Sequence, residues 1–224
     1  MADREYHYLP RENFLQVAPG AAAKVAPDGK LLPFYGNTVI FDLNEDTKDR
    51  LKLLQDKLYE HCGHFLSEKL TRESFHVTLH DLLSGTDREE MVVKVNGIAD
   101  EAKQVVEDVK RQLDSSTHMK PVKLVSMVST SVVLLLEPVY PVHQYLLNIA
   151  YDMLQAVVPL SYGFTPHVTL GYYRPGTIEG ENLQTLAETL AELSEQLDFT
   201  MVLKYKDLHY REFTDMNHYV EAME

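Results

Sequence analysis

The sequence predicts an α+β fold of two pseudo-symmetric lobes, each an antiparallel sheet with outer helices, meeting at a cleft. Three observations predict it. The order strand, helix, strand, helix occurs twice in 224 residues; the tetrapeptide His-Val-Thr-Leu stands at the matching place in each round, at residues 76–79 and 167–170; and no linker rich in Gly, Ser or Pro parts the rounds. The spacings agree, since Ile40 lies 36 residues before His76 (76 − 40) and Leu134 lies 33 before His167 (167 − 134). Like elements at like spacing indicate an internal duplication, and the missing linker makes the lobes one compact unit.

The elements follow in order. Residues 1–36 are broken by Pro10, Pro19, Gly20, Pro27, Gly29, Pro33 and Gly36, and read as an extended arm packed on the body near the cleft. Residues 37–224 form the bilobal domain. A β-branched and aromatic run at 38–43 is a strand, and a helix over 46–66 carries Leu51, Leu54 and Leu58 on one stripe. The first motif strand spans 74–79. A long amphipathic helix over 88–113 turns Val92, Val95, Ala99, Ala102, Val106, Val109 and Leu113 inward, with a break possible at Gly97.

The second round opens with a hairpin, 122–128 and 131–136. Val142, Tyr145, Leu146, Ile149, Met153 and Val157 mark a helix, and 164–172 is the second motif strand. Leu183, Leu186, Leu190, Leu193 and Leu197 mark another helix, and strands near 199–204 and 207–213 finish the chain.

Composition narrows the function. Apolar content of 45% and charged content of 25% are ordinary for a globular protein, and no apolar run reaches the roughly 20 residues of a membrane span. The start, MADREYHYLPRENF, has neither a basic nor an apolar signal region. The single cysteine, Cys62, excludes an internal disulfide framework. We therefore expect a cytoplasmic monomer without membrane contact. A formal charge of −13 argues against a grip on long duplex nucleic acid, which is held by neutralising phosphates. It leaves room for one phosphate in a local pocket, because salt screens distant charges beyond about 8 Å.

Strand parity gives the repeated tetrapeptide its chemistry. Side chains two apart on a strand share a face, so His76 aligns with Thr78, and His167 with Thr169. Val77, Leu79, Val168 and Leu170 take the opposite, apolar face. Of the ten histidines, only these two have Ser or Thr two positions on. Imidazole titrates near neutrality, so two of them across one phosphate can act as base and acid without a metal. Threonine hydroxyls can donate to non-bridging phosphate oxygens. One His-x-Thr segment is common in strands; two in matching positions of two similar halves point to a site.

These motifs resemble the paired His-x-Thr/Ser-apolar signature of the two-histidine (2H) phosphoesterase superfamily. That superfamily includes the LigT-like RNA 2′,3′-cyclic phosphodiesterases, also called 2′-5′ RNA ligases. The separation of 91 residues (167 − 76) fits its layout, and the duplicated organisation carries the resemblance from about residue 37 to near the C-terminus. The arm, with its segment LLPFYGNT, lies outside the common pattern and suggests a bacterial subgroup. The resemblance implies metal-independent and cofactor-free hydrolysis of a 2′,3′-cyclic phosphate on a nucleotide or short RNA end. His76 and His167 would be catalytic, and Thr78 and Thr169 phosphate-binding. The alternatives are a 2′-5′ oligonucleotide or other cyclic nucleotide phosphodiesterase, or a nucleotide-binding module without turnover.

Further candidates weigh against simpler roles. His80 and Tyr173 have cleft-facing parity if their strands continue, and Tyr35 could reach in from the arm to stack a base; core or rim packing competes for each. Gly171 leaves room beside the second motif. Arg72 and Arg174 flank the motif strands and could steer phosphate. His61, Cys62 and His64 cluster at a helix end, but no second Cys/His pair at a recognisable spacing completes a metal site.

Overall fold

The computed structural model describes residues 13–223. The reading of the chain's first twelve residues as lacking a signal lies outside the described residues. Strand β1 (Phe14–Gln16) and a one-turn helix α1 (Pro19–Ala22) precede β2 (Tyr35–Asp42) and α2 (Glu45–Cys62). The first motif strand, β3 (His76–Gly85), leads to α3 (Arg88–Gln112), β4 (Ser116–Met127), β5 (Ser131–Pro138) and α4 (Pro141–Leu154). The second motif strand, β6 (His167–Tyr172), is followed by β7 (Thr177–Glu179), α5 (Gly180–Glu195), β8 (Met201–Lys204), β9 (Leu208–Asp215) and β10 (His218–Val220).

The helices begin where their sequences cap them. The Asn44 side chain accepts from Thr47 N at 2.9 Å ahead of α2, and Asp87 accepts from Glu90 N at 3.0 Å ahead of α3. Each such cap is worth about 1 kcal/mol. α3 runs through Gly97 without a break, its Val95, Ala102, Val106 and Val109 buried in one stripe. β6 starts at His167, later than residue 164, because Pro166 has no N–H for a ladder.

Two four-stranded antiparallel sheets result, ordered β10-β9-β2-β3 and β6-β5-β4-β8, with a β1-β7 ribbon beside them. The lobes are therefore not the two halves of the chain, since β9 and β10 return to pair in the first sheet. The helices cross over as well: α2, which leaves the first sheet, contacts β6 and α5, while α4, which leaves the second, contacts β3 and α3. One hydrophobic core spans both lobes, joining Phe41, Val77 and Leu79 to Leu134, Val168 and Leu170. Each such side chain contributes roughly 1.5–3 kcal/mol by burial, so the core resists separation of the lobes.

The motif strands are the edge strands β3 and β6, and they meet between the sheets. Their pairings match. His76 and Thr78 lie opposite Asp42 and Ile40 of β2, and His167 and Thr169 lie opposite Leu135 and Val133 of β5. The duplication seen in the letters is a duplication of register.

Candidate active site

A cavity of about 1040 Å³ opens between the sheets, and His76, Thr78, His167 and Thr169 all line it. The structure brings these four side chains together from two strands. Each histidine is held alike: Nδ1 of His76 donates to the Ser74 carbonyl at 2.7 Å, and Nδ1 of His167 to the Thr165 carbonyl at 2.8 Å. A carbonyl only accepts, so Nδ1 carries the hydrogen, and Nε2 is the nitrogen suited to take up or release a proton. Burial pushes the His76 pKa down to about 4, against the opposing Ser74 hydrogen bond, and the charge of His167 pushes it further down. His76 is thus a neutral base at neutral pH.

The C-terminal hairpin closes over the site. Asn217, in the β9–β10 turn, accepts from Thr71 N at 2.8 Å and from Ser74 Oγ at 3.2 Å, and the Tyr172 hydroxyl donates to Met216 Sδ at 3.1 Å. Tyr219 of β10 then lies edge-on to His76, with ring centres 4.7 Å apart, and lines the cavity. No sequence reading singled out Tyr219, because β10 is three residues long and lacks a strand-like run.

Past the threonines, strand parity breaks in both lobes. Ile40 pairs with Thr78 but Val39 with His80, so Leu79 is an extra residue in β3; Val133 pairs with Thr169 but Val132 with Gly171, so Leu170 is the extra residue in β6. These are β-bulges at the same position of the repeated tetrapeptide, and each flips the faces that follow it. The bulges correct three expectations. His80 turns into the protein, where its Nδ1 donates to the Asp81 carbonyl at 2.5 Å and its ring packs on Tyr151; Asp81 lines the cavity instead. Tyr173 is 0% exposed in the core, and Tyr172 lines the cavity in its place. Gly171 leaves room for Tyr59 of α2, whose hydroxyl would lie 2.6 Å from an added Cβ, and not for substrate.

Other candidates also fall elsewhere. Tyr35 packs beside Met91, Val95 and Met223, outside the cavity lining. Arg72 pairs with Asp49 at 2.6 Å and Glu45 at 2.7 Å, and Arg174 Nε donates to the Leu66 carbonyl at 2.6 Å; neither lines the cavity. Cys62 is buried, and His64 Nε2 meets Asn182 Oδ1 at 2.8 Å. Among the described residues, no three His, Cys, Asp or Glu side chains are grouped to hold a metal ion, and no helix is long and apolar enough to cross a membrane.

Sequence reading also passed over Gln55. It is fully buried in α2, and its Nε2 donates to the carbonyls of Leu70, at 3.1 Å, and Leu170, at 3.0 Å. The bulge in β6 is thus held by a side chain that crosses from the other lobe's helix. A signal was present, since Gln55 sits between Leu51 and Leu58 on an otherwise apolar stripe.

Two lobes thus bring paired His-x-Thr strands to one cavity, and comparison with known proteins finds both a family and a fold that the chain resembles. The 2H-phosphodiest family model, a domain of unknown function (DUF1868), matches residues 24–130, which contain the first motif. Over those residues, just under half of its length, the chain is similar to the 2H-phosphodiesterase family. No curated protein matched it. A conserved protein of unknown function from Agrobacterium tumefaciens has the same fold at 17% identity, with a TM-score of 0.67 and 93% of each chain covered. E. coli LigT in its apo form is 13% identical over 81% of this chain and 88% of its own, with a TM-score of 0.44. TT0787 of Thermus thermophilus is 11% identical over 84% and 99%, with a TM-score of 0.42.

Proposed function

We propose that the protein hydrolyses a phosphodiester, specifically a 2′,3′-cyclic phosphate on a nucleotide or short RNA end. The observation that carries this reading is the pair of identically clamped imidazoles facing one cavity, each with a threonine two residues on. His76, held neutral, takes a proton from the attacking water as its oxygen bonds to phosphorus. His167 gives a proton to the ring oxygen as the P–O bond breaks, and solvent resets both histidines. Thr78 and Thr169 donate to the non-bridging oxygens and stabilise the charge that builds there. The chain's own residues suffice for these steps. The size of the cavity favours, as a second reading, cleavage of a 2′-5′ oligonucleotide.

The test is incubation with a panel of cyclic mononucleotides and 2′-5′ dinucleotides, with products resolved by chromatography. We expect turnover in EDTA, a bell-shaped rate–pH profile, and a fall of about 10²–10⁴-fold in His76→Ala and in His167→Ala. Wild-type rates in either variant, or a requirement for added divalent metal, would overturn the mechanism. Binding without product would make the chain a nucleotide-binding module.

A further inference from the structure

The arm supplies a feature of the cavity that the hydrolytic step does not use. Lys24 lines the cavity, and its Nζ lies 5.0 Å from the ring centre of Phe34 and 5.2 Å from that of Tyr172. Two cation–π contacts fix where the ammonium stands, yet aromatic rings do not neutralise it. Among the described residues it has no carboxylate within ion-pair distance, and it is the one Lys or Arg on the cavity wall. In a chain of formal charge −13, a cation that faces a cavity with no carboxylate partner among the described residues is a local exception to the overall field.

Three tethers hold Lys24 there. β1 pairs with β7, Ala18 N donates to the Ser129 carbonyl at 2.9 Å, and Leu31 N donates to Glu68 Oε1 at 2.9 Å. Phe34 in turn stacks on Phe213, which packs on Tyr219, the ring that touches His76. An apolar wall therefore runs from the histidines to the ammonium. The cavity, at about 1040 Å³, lies at the top of the roughly 300–1,000 Å³ range of small-molecule sites. It has room for more than one cyclic phosphate.

We infer that Lys24, Phe34 and Tyr172 form a second anion subsite, which selects ligands carrying a phosphate besides the one at the histidines. Lys24 bonds that second phosphate, and the aromatic wall takes the sugar and base between the two. The inference rests on the nucleotide-directed reading above. The second phosphate can come from a 5′-phosphoryl group or from the next internucleotide link, and the shared chemistry is a second phosphate anion on a nucleotide.

The test is calorimetric binding to the full chain, which needs no turnover. Its probes are adenosine 3′-monophosphate, adenosine 3′,5′-bisphosphate and a 3′-phosphorylated dinucleotide. We expect one or both of the doubly phosphorylated probes to bind about tenfold more tightly than the monophosphate, the order of one charge-assisted hydrogen bond. That preference should collapse in Lys24→Met. Whichever probe shows it identifies the source of the second phosphate. No preference in the wild type, or an equal preference in Lys24→Met, overturns the subsite. If the preference is present and depends on Lys24 but no cyclic phosphate is hydrolysed, the subsite stands and the hydrolytic reading fails.

Discussion

Replacing His76 by Gln removes from the cavity wall a base that the fold holds neutral, and the loss is readable in how stability depends on pH. Burial, with the charge of His167 adding to it against the Ser74 hydrogen bond, brings the His76 pKa from 6.5 to about 4. Above the higher value the ring is neutral in folded and unfolded chains alike. Below it the unfolded chain binds a proton that the native state refuses, so stability falls as the pH drops from 6.5 toward 4. The gap is 6.5 − 4, and at about 1.36 kcal/mol per pH unit its ceiling is roughly 3 kcal/mol. His76 is only partly buried and lines an open cavity, so solvent screening brings the expected loss to about 1–2 kcal/mol. Urea unfolding of both proteins from about pH 7.5 to about pH 4.5 measures it. His80 and His209, also shifted down by burial, titrate in both proteins and cancel in the difference. The wild type should lose about 1–2 kcal/mol more than His76→Gln across that range. Parallel curves would refute the claim that His76 is held neutral.

Gly171→Ala should lower stability by about 1–3 kcal/mol through overpacking against Tyr59, a fall of roughly 2–10 °C in melting temperature; an unchanged melting point would return Gly171 to the role of making room for substrate. Gln55→Leu leaves two buried carbonyls without their donor and should cost about 2–4 kcal/mol by denaturant unfolding. A cost under about 0.5 kcal/mol would mean that the β6 bulge holds without it. Thr169→Val keeps the shape and removes the hydroxyl, so kcat/KM on the substrate found by chromatography should fall about tenfold with the melting temperature little changed. An undiminished kcat/KM would remove Thr169 from the phosphate site.

Most of the architecture was legible because it follows from periodicity. Leucines at helical spacing marked α2 and α5, alternation marked β3 and β6, and the repeated tetrapeptide marked both the duplication and the four side chains that share the cavity. What stayed hidden depends on partners distant in the chain. β1, β7 and β10 are three residues each, too short for a period to show, and they are strands only because other strands pair with them. The return of β9 to β2 is a matter of topology, which local patterns do not encode. Lys24 looked like one more polar residue in an irregular arm until Phe34 and Tyr172 fixed it at the cavity.

The bulges are the instructive case, because alternation fails at the same place in both motif strands. Strict alternation, carried past Thr78 and Thr169, put His80 and Tyr173 on the cleft face. One extra residue in each strand hands those places to Asp81 and Tyr172. A bulge leaves a backbone group without its ladder partner, and a buried group of that kind must be satisfied elsewhere. At the β3 bulge, Thr38 Oγ1 donates to the His80 carbonyl at 3.1 Å; at the β6 bulge, Gln55 donates to the Leu170 carbonyl at 3.0 Å. These two buried polar residues are the sequence trace of the bulges. Thr38 belongs to the strand beside β3, whereas Gln55 comes from the helix that crosses between lobes, so the second bulge ties the β6 side of the cavity to the first lobe's chain. The histidines and threonines precede the bulges and keep their parity; Asp81 and Tyr172, which line the rest of the cavity, follow them. The placement of the four motif side chains was therefore readable from local alternation, while the rest of the cavity wall depended on where the alternation stops.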